Sequence, residues 1–373
     1  MKKIGITGQN GFIGQYLYNI LGLYTEEFER VNFEKSFFKQ ENDLDNFVSK
    51  CDVIIHLAAM NRHNDPNVIY STNLGLVSKL IASLERTKSQ AHIIMSSSSQ
   101  EEKANLYGKS KKEGRLLFSK WADNKNNGIF TGMVIPNVFG PFGDPYYNSV
   151  IATFSHQIAN GEIPKIENDG HLKLIYVGEL VDEIIANIRQ ENNDSLYNVN
   201  FTAQAKVSEL LSLLERFKSE YQDKGEIPSL KNKFELNLFN TYRCYMDIKK
   251  HFPVIYTQHT DPRGSFVEVI RLGVGGQVSF STTVPGITRG NHFHTRKIER
   301  FSVIKGKALI QLRRIGSDDV LDFYLDGENP SYVDMPIWYT HNIKNIGDDI
   351  LYTNFWINEF YNSEDADTFL EDV

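Results

Sequence analysis

His292 and His294 stand one residue apart, and Glu299 follows five residues after the second. On a β-strand, residues at i and i+2 point to the same side, so the two imidazoles share a face. A third histidine, His341, lies in an apolar, strand-like run from Pro336 to Asn345. Three imidazoles and a carboxylate make a first shell suited to a divalent transition metal. Gly286 and Gly306 frame the histidine pair, which sets it apart from an ordinary surface strand. Zinc suits this ligand set, and nickel, iron or manganese also fit it.

A second constellation lies in the first half. Tyr107 and Lys111 are four apart in a run that continues through Glu113, Leu116 and Leu117. On a helix they share a face. A lysine ammonium beside a phenol is expected to pull its pKa down from ~10 towards neutrality. That gives a general acid for protonating a carbonyl oxygen as hydride arrives. A serine hydroxyl from the end of the preceding strand, Ile93 to Ser99, can hold the same oxygen.

Hydride chemistry needs a dinucleotide site, and the N-terminal residues have its order of elements. A short strand, Ile4 to Ile6, runs into a turn with Gly8, Gly11 and Gly14, and a helical period continues from Gln15 to Leu21. Strand, glycine turn and helix are the required context. The glycines let the backbone approach a pyrophosphate, and the helix start supplies free N–H groups and a positive dipole end. Asp52 to Ala59 reads as a buried parallel strand ending in small residues. A ribose-binding acid is expected near Val31 to Phe33. Position 32 is Asn, and Arg30 and Lys35 stand close enough in sequence to meet a 2′-phosphate, so NADPH is favoured.

The whole chain sets limits on partners. Its 373 residues allow two or three domains. A net charge of −7 argues against a general nucleic-acid or anionic-membrane partner. With only Cys51 and Cys244 there is no disulfide framework, and a reducing, cytoplasmic setting is expected. The N-terminus reads as a first strand and not as a signal peptide, and no window is apolar for long enough to cross a bilayer. Val207 to Phe217 has a helical apolar period. Ser219 to Pro228 is polar and broken, and a β-rich region is expected from near His251.

The N-terminal half resembles the extended short-chain dehydrogenase/reductases that act on nucleotide sugars. The resemblance rests on the Gly8–Gly14 turn, the run His56 to Ala59, Asn73, the serine run, the Tyr107/Lys111 pair, and Pro136 to Pro141. It implies cofactor binding by Gly8, Gly11, Phe12, Ile13, Gly14, Arg30, Leu57, Ala58 and Ala59, with Tyr107 and Lys111. It places the catalytic hydroxyl at Ser98, with Ser97 as the alternative, and substrate contacts at Asn137, Tyr147 and Asn148. The C-terminal half resembles the cupins. Gly286 to Gly306 fits their first motif, and Pro336, His341 and Asn345 fit the second, with Trp338 in place of the usual glycine. The resemblance implies a small antiparallel barrel with His292, His294, Glu299 and His341 as metal ligands. His294 as a base is the other reading. Asp261, Arg263, Gly264, Phe266 and Glu268 are similar to a signature of cupin sugar-nucleotide epimerases. There Arg263 would serve the nucleotide phosphates; a salt bridge to Asp261 or Glu268 is the alternative.

Order and length together resemble the bifunctional capsule-assembly enzymes of the CapF type. The implied architecture is a Rossmann-like, doubly wound parallel sheet over 1–245, followed by an all-β cupin jelly-roll over 246–373. The implied chemistry is sequential. The cupin half epimerises C3 of a UDP-4-keto-6-deoxyhexosamine, with Tyr339 as a candidate acid or base. The reductase half then reduces C4 with NADPH to UDP-2-acetamido-2,6-dideoxy-L-talose, in the N-acetyl-L-fucosamine branch of capsule synthesis. Zn2+ and a homodimer are expected. The alternatives are a reductase with a structural cupin, and a nucleotide-sugar sensor without turnover.

Overall fold

The computed structural model describes residues 1–124 and 128–373. They form two compact units, Met1–Thr153 with Asn168–Val207, and Phe154–Glu167 with Ser208–Val373.

Strands and helices alternate through the first unit. They are β1 (Lys2–Thr7), α1 (Phe12–Leu21), β2 (Phe28–Val31), α2 (Glu41–Val48), β3 (Val53–His56), α3 (Pro66–Arg86), β4 (His92–Ser98), α4 (Leu106–Asp123) and β5 (Phe130–Ile135). Then follow β6 (Asn137–Phe139), α5 (Val150–Ala159), whose residues from Phe154 on belong to the second unit, β7 (His171–Tyr176), α6 (Val177–Gln190), β8 (Asp194–Asn198) and β9 (Ala203–Lys206). Six strands pair in parallel in the order β2-β1-β3-β4-β5-β8. A parallel sheet is buried on both faces and needs continuous apolar strands, and every residue of β3 is buried. Phe33, Phe47, Ile54, Ile93, Met95, Phe118 and Phe130 belong to the core on one face. Strand order reverses between β1 and β3, and in such sheets the crevice outside the carboxyl ends of those strands takes the ligand. This is the Rossmann-like half expected from the sequence.

Caps fix where the helices around that crevice begin. The Asn105 side chain accepts from the Gly108 N–H at 2.7 Å and starts α4 one residue before Tyr107. Asp65 does the same for α3, with Pro66 in its first turn.

The second unit is β-rich. The helix expected from the period at Val207 forms as α7 (Val207–Phe217), and α8 (Lys233–Arg243) and α9 (Ile248–His251) follow. Its strands are β10 (Val254–Ile255), β11 (Gln258–Asp261), β12 (Gly264–Val267), β13 (Gln277–Thr283), β14 (Thr288–Phe293), β15 (Glu299–Lys305), β16 (Lys307–Arg314), β17 (Val320–Asp326), β18 (Ser331–Met335), β19 (Tyr339–Asn345), β20 (Leu351–Ile357) and β21 (Phe369–Leu370). β11 and β12 form a hairpin, and two five-stranded antiparallel sheets run β10-β18-β15-β20-β13 and β17-β16-β19-β14-β21. Val303 and Val333 from one sheet join Ile310, Leu312, Phe323 and Ile343 from the other in a single core. No helix among the described residues is long and apolar enough to cross a membrane.

Helical residues are pinned to this β structure by buried charge. Arg300 on β15 donates two hydrogen bonds to Asp334 on β18, at 2.7 and 3.0 Å, with both side chains almost wholly out of water. Tyr221 donates to the same carboxylate at 2.7 Å, and Arg243 on α8 donates to the Tyr221 oxygen and the Met335 carbonyl. Asp334→Asn leaves the Arg300 guanidinium buried without a counter-charge. It is expected to cost about 3–5 kcal/mol, read as a lowered urea midpoint with an unchanged slope.

Candidate functional site

Sequence-predicted residues meet in a cavity of about 690 Å3 at the carboxyl ends of β1, β3 and β4. Gly8, Gly11, Phe12, Ile13 and Gly14 line one side and Leu57, Ala58 and Ala59 the next. Ser98, Tyr107, Lys111, Tyr147 and Asn148 complete it. The glycine turn is geometrically demanding. Gly8 has φ +81, and a Cβ there would sit 2.8 Å from the Ala58 nitrogen, so a side chain would push the two turns apart. Gly11 starts α1 without any side-chain cap. The donors of the first turn are therefore free for an anion.

The serine run divides its labour. Ser97 donates a short hydrogen bond to Glu101, and Arg115 holds that carboxylate through two bonds of 2.9 and 2.7 Å. Burial disfavours the charge on Glu101, but the Arg115 and Ser97 hydrogen bonds outweigh it and hold the carboxyl below its ordinary range. Ser98 instead has its hydroxyl beside the Tyr107 phenol. Ser96 lies 3.5 Å from the Lys111 ammonium and donates to the His56 carbonyl. Asn73 ties the crevice together: its amide bonds both to the Met60 backbone and to Ser110 on α4.

The electrostatics correct one expectation. Burial pushes the Tyr107 phenol up to about 12, with the Ser98 hydrogen bond acting the other way. Lys111 does not pull it down. The lysine is itself fully enclosed, and burial lowers its pKa to about 8 while the Glu101 charge opposes the fall. Desolvation outweighs the pairwise attraction in a site this dry.

Two first-half residues do not reach the cavity. Arg30 lies over the Tyr18 ring at 4.2 Å and donates to the Tyr18 carbonyl. Lys35, by contrast, is in the lining. Asn137 is exposed and donates to the Lys173 carbonyl. The Arg30 and Asn137 side chains are each taken up by a nearby backbone carbonyl.

In the second unit the ligating atoms of His292, His294, Glu299 and His341 all lie within 4.8 Å of one another. β14 carries His292 and ends just before His294, β19 carries His341, and β15, in the other sheet, carries Glu299. One Glu299 oxygen is 3.0 Å from His294 Nε2 and 3.1 Å from His341 Nε2. All three atoms are buried, yet none makes a well-formed hydrogen bond. The far ring nitrogens are committed: His294 Nδ1 bonds the Asp367 carbonyl and His341 Nδ1 the Tyr339 carbonyl. A carbonyl accepts only N–H, so in the neutral ring each Nε2 keeps its lone pair facing its neighbours. With the rings neutral, the converging lone pairs are a donor set for a cation. Burial, then the other two imidazoles, lowers His292 to about 4. Burial disfavours the Glu299 charge, but pairing with His294 and His341 outweighs it and holds the carboxyl far below its ordinary range. Burial also disfavours a charge on His294, but the same pairing raises it, so protons and a cation compete for this set.

Trp338, where a glycine was expected, keeps a glycine-like backbone at φ 63. Its N–H donates to the His294 carbonyl, its own carbonyl accepts from Ile315, and its ring lies 5.5 Å from Phe293. Tyr339 packs against the core, where burial raises its phenol to about 12. Arg263 lies on the exposed β11–β12 hairpin and pairs with Asp261 at 2.6 Å. The sequence reading passed over Glu101, Arg115 and Asp367, which sit in no motif.

Comparison with known proteins follows the same division. The model of the NAD dependent epimerase/dehydratase family matches residues 4–200, over half the chain. The chain belongs to that family. A polysaccharide biosynthesis C-terminal domain matches residues 259–369. This family member is 30% identical over 376 positions, 98% of each chain, to the UDP-2-acetamido-2,6-beta-L-arabino-hexul-4-ose reductase of Pseudomonas aeruginosa. It is similar to the crystal structure of the capsular polysaccharide assembling protein CapF from Staphylococcus aureus, with 34% identity, a TM-score of 0.63 and all of both chains covered. The spore coat polysaccharide biosynthesis protein SpsL of Bacillus subtilis is 26% identical over 122 residues, 30% of this chain and 80% of its own.

Lys111 gives a pH test. Its folded pKa of about 8 lies below the ~10.4 of an unfolded lysine. Between those values the unfolded chain binds more protons, so stability rises with pH across that window. Lys111→Met removes the cost of the buried charge. The variant is expected to be more stable than the parent at pH 7 by about 1–3 kcal/mol, with the gap closing as pH approaches 10 in urea titrations.

Proposed function

We propose that the chain is a bifunctional nucleotide-sugar enzyme of polysaccharide synthesis. The first half reduces the C4 ketone of a UDP-linked 6-deoxyhexosamine with NADPH, and the second, a metal-binding cupin, epimerises C3. The functional division falls near residue 245. One observation carries the reading: Ser98, Tyr107 and Lys111 share a single cavity with an open glycine turn. A hydroxyl, a proton donor and a cation beside a dinucleotide cradle are the parts of a carbonyl reductase. The P. aeruginosa relative is named as a reductase of a hexul-4-ose, which agrees with a ketone at C4.

Nicotinamide, when bound, supplies hydride. The chain's own residues do the rest. Gly8 to Gly14 and the α1 start hold the pyrophosphate, and Lys35 stands in the lining for a 2′-phosphate. Ser98 orients the carbonyl oxygen and Tyr107 gives it a proton. Lys111 is a cation that gains most once the phenol has lost that proton. In the second half His292, His294, Glu299 and His341 hold a divalent ion, zinc by preference, which supplies Lewis acidity or rigidity. A C3 proton next to a ketone can be removed by a base and returned to the other face by an acid; a histidine or carboxylate of the second unit and Tyr339 are the candidates for the two roles.

The test uses the UDP-4-keto-6-deoxy sugar in deuterated water without NADPH, followed by proton NMR. Loss of the C3 proton signal is expected, abolished by His341→Ala and retained in Tyr107→Phe. Tyr107→Phe should lower NADPH oxidation by roughly 10²–10⁴-fold. Normal oxidation without exchange would leave a reductase with a structural metal domain. Neither activity would sink both assignments.

A further inference from the structure

Asp367 sits seventy residues beyond the turn that joins the two ligand-bearing strands β14 and β15, and it organises that turn completely. It is buried, with 6% of its surface exposed, and its φ is 42. One carboxylate oxygen accepts from the Thr295 N–H at 3.1 Å and the Thr295 hydroxyl at 2.6 Å. The other accepts from the N–H groups of Arg296 and Lys297, both at 3.0 Å. Three consecutive backbone donors thus close on one side chain. Its main-chain carbonyl takes the His294 Nδ1 proton. The residues after it extend the hold. Phe369 and Leu370 pair with Phe293 and His292, the Glu371 N–H donates to the Asn291 carbonyl, and Thr340 donates to the Glu371 carbonyl.

We propose that Asp367 is a positioning residue for the metal, and that the segment from Asp367 to Glu371 is a clasp that sets metal affinity. The inference rests on the metal reading above. Its carbonyl selects the His294 tautomer whose Nε2 lone pair faces the other ligands. Its carboxylate fixes the distance between His294 and Glu299, which the turn would otherwise leave free. Partners of this kind orient ligands before the ion arrives, so their loss weakens binding without removing a ligand.

Cobalt(II) is the probe, titrated into the metal-free full-length protein, with visible absorption reporting geometry and chelator competition reporting affinity. Asp367→Asn suits the backbone, because asparagine tolerates a positive φ, but its NH2 faces N–H donors. It is expected to weaken Co2+ binding roughly 10–100-fold and to change the absorption envelope. Leu325→Ala, a large-to-small change in the core of the same unit on β17, a strand that carries no ligand, should leave the Co2+ affinity unchanged. Equal weakening by both variants would show a global effect and overturn the proposal, as would unchanged affinity and spectrum in Asp367→Asn. If Asp367→Asn does not fold, Thr295→Val removes one bond of the clasp. A several-fold loss then supports the proposal, and no loss overturns it. Failure of the parent protein to bind Co2+, or undiminished binding by His341→Ala, would overturn the metal reading and the inference with it; both are measured on chains with Asp367 intact.

Discussion

A charge taken out of water has to be met by another charge or by hydrogen bonds, and both candidate sites are built around that constraint. In the first unit Arg115 and Ser97 satisfy Glu101. The paired carboxylate still acts on Lys111 and opposes the loss of its charge. In the second, Glu299 is enclosed by imidazoles whose outer nitrogens are already bonded to carbonyls. Arg300 and Asp334 repeat the theme where helical residues meet the β structure. Strand positions follow from apolar patterning, but these pairs decide which side chains stay fixed inside.

What could be read from the sequence follows from what local pattern encodes. Alternating apolar strands and helices, with a glycine turn after the first strand, announced a parallel sheet and its crevice, because each signal is local. The β-rich second half was legible for the same reason. Direction was harder. Arg30 is one strand position from where a ribose contact is expected, yet Tyr18 offers its guanidinium a ring and a carbonyl. Asn137 follows Pro136 as expected and then turns to the Lys173 backbone. Asp367 left no trace in any motif, since its partners lie some seventy residues away in sequence, and Arg115 meets Glu101, fourteen residues before it, only once strand, turn and helix have folded together.

Trp338 shows how a motif can lose its residue and keep its geometry. The left-handed backbone favours glycine, and a tryptophan there carries a strain cost of order 1–3 kcal/mol. Two backbone hydrogen bonds and the Phe293 ring hold it in place. One of those bonds ends on the His294 carbonyl, so the turn before His341 and the strand end at His294 are joined through the very residue that departs from the pattern. What the substitution loses in backbone ease is offset by apolar packing.

The protonation states of the first site fit the proposed reduction better than the sequence expectation did. A phenol pulled towards neutrality would already have lost part of its proton before a ketone arrived. With its pKa pushed up to about 12, Tyr107 keeps the proton throughout the neutral range. The oxygen formed as hydride reaches a ketone is far more basic than a phenol, so the transfer still runs downhill. Lys111, with a pKa of about 8, remains largely charged at pH 7. Its attraction for the phenol is small while the phenol is neutral and grows as negative charge develops there. Catalysis depends on interactions that are stronger in the transition state than in the ground state. A lysine that leaves the resting tyrosine alone and meets the phenolate as it forms satisfies that requirement, and Glu101 keeps the charge available in a site too dry to hold it unaided.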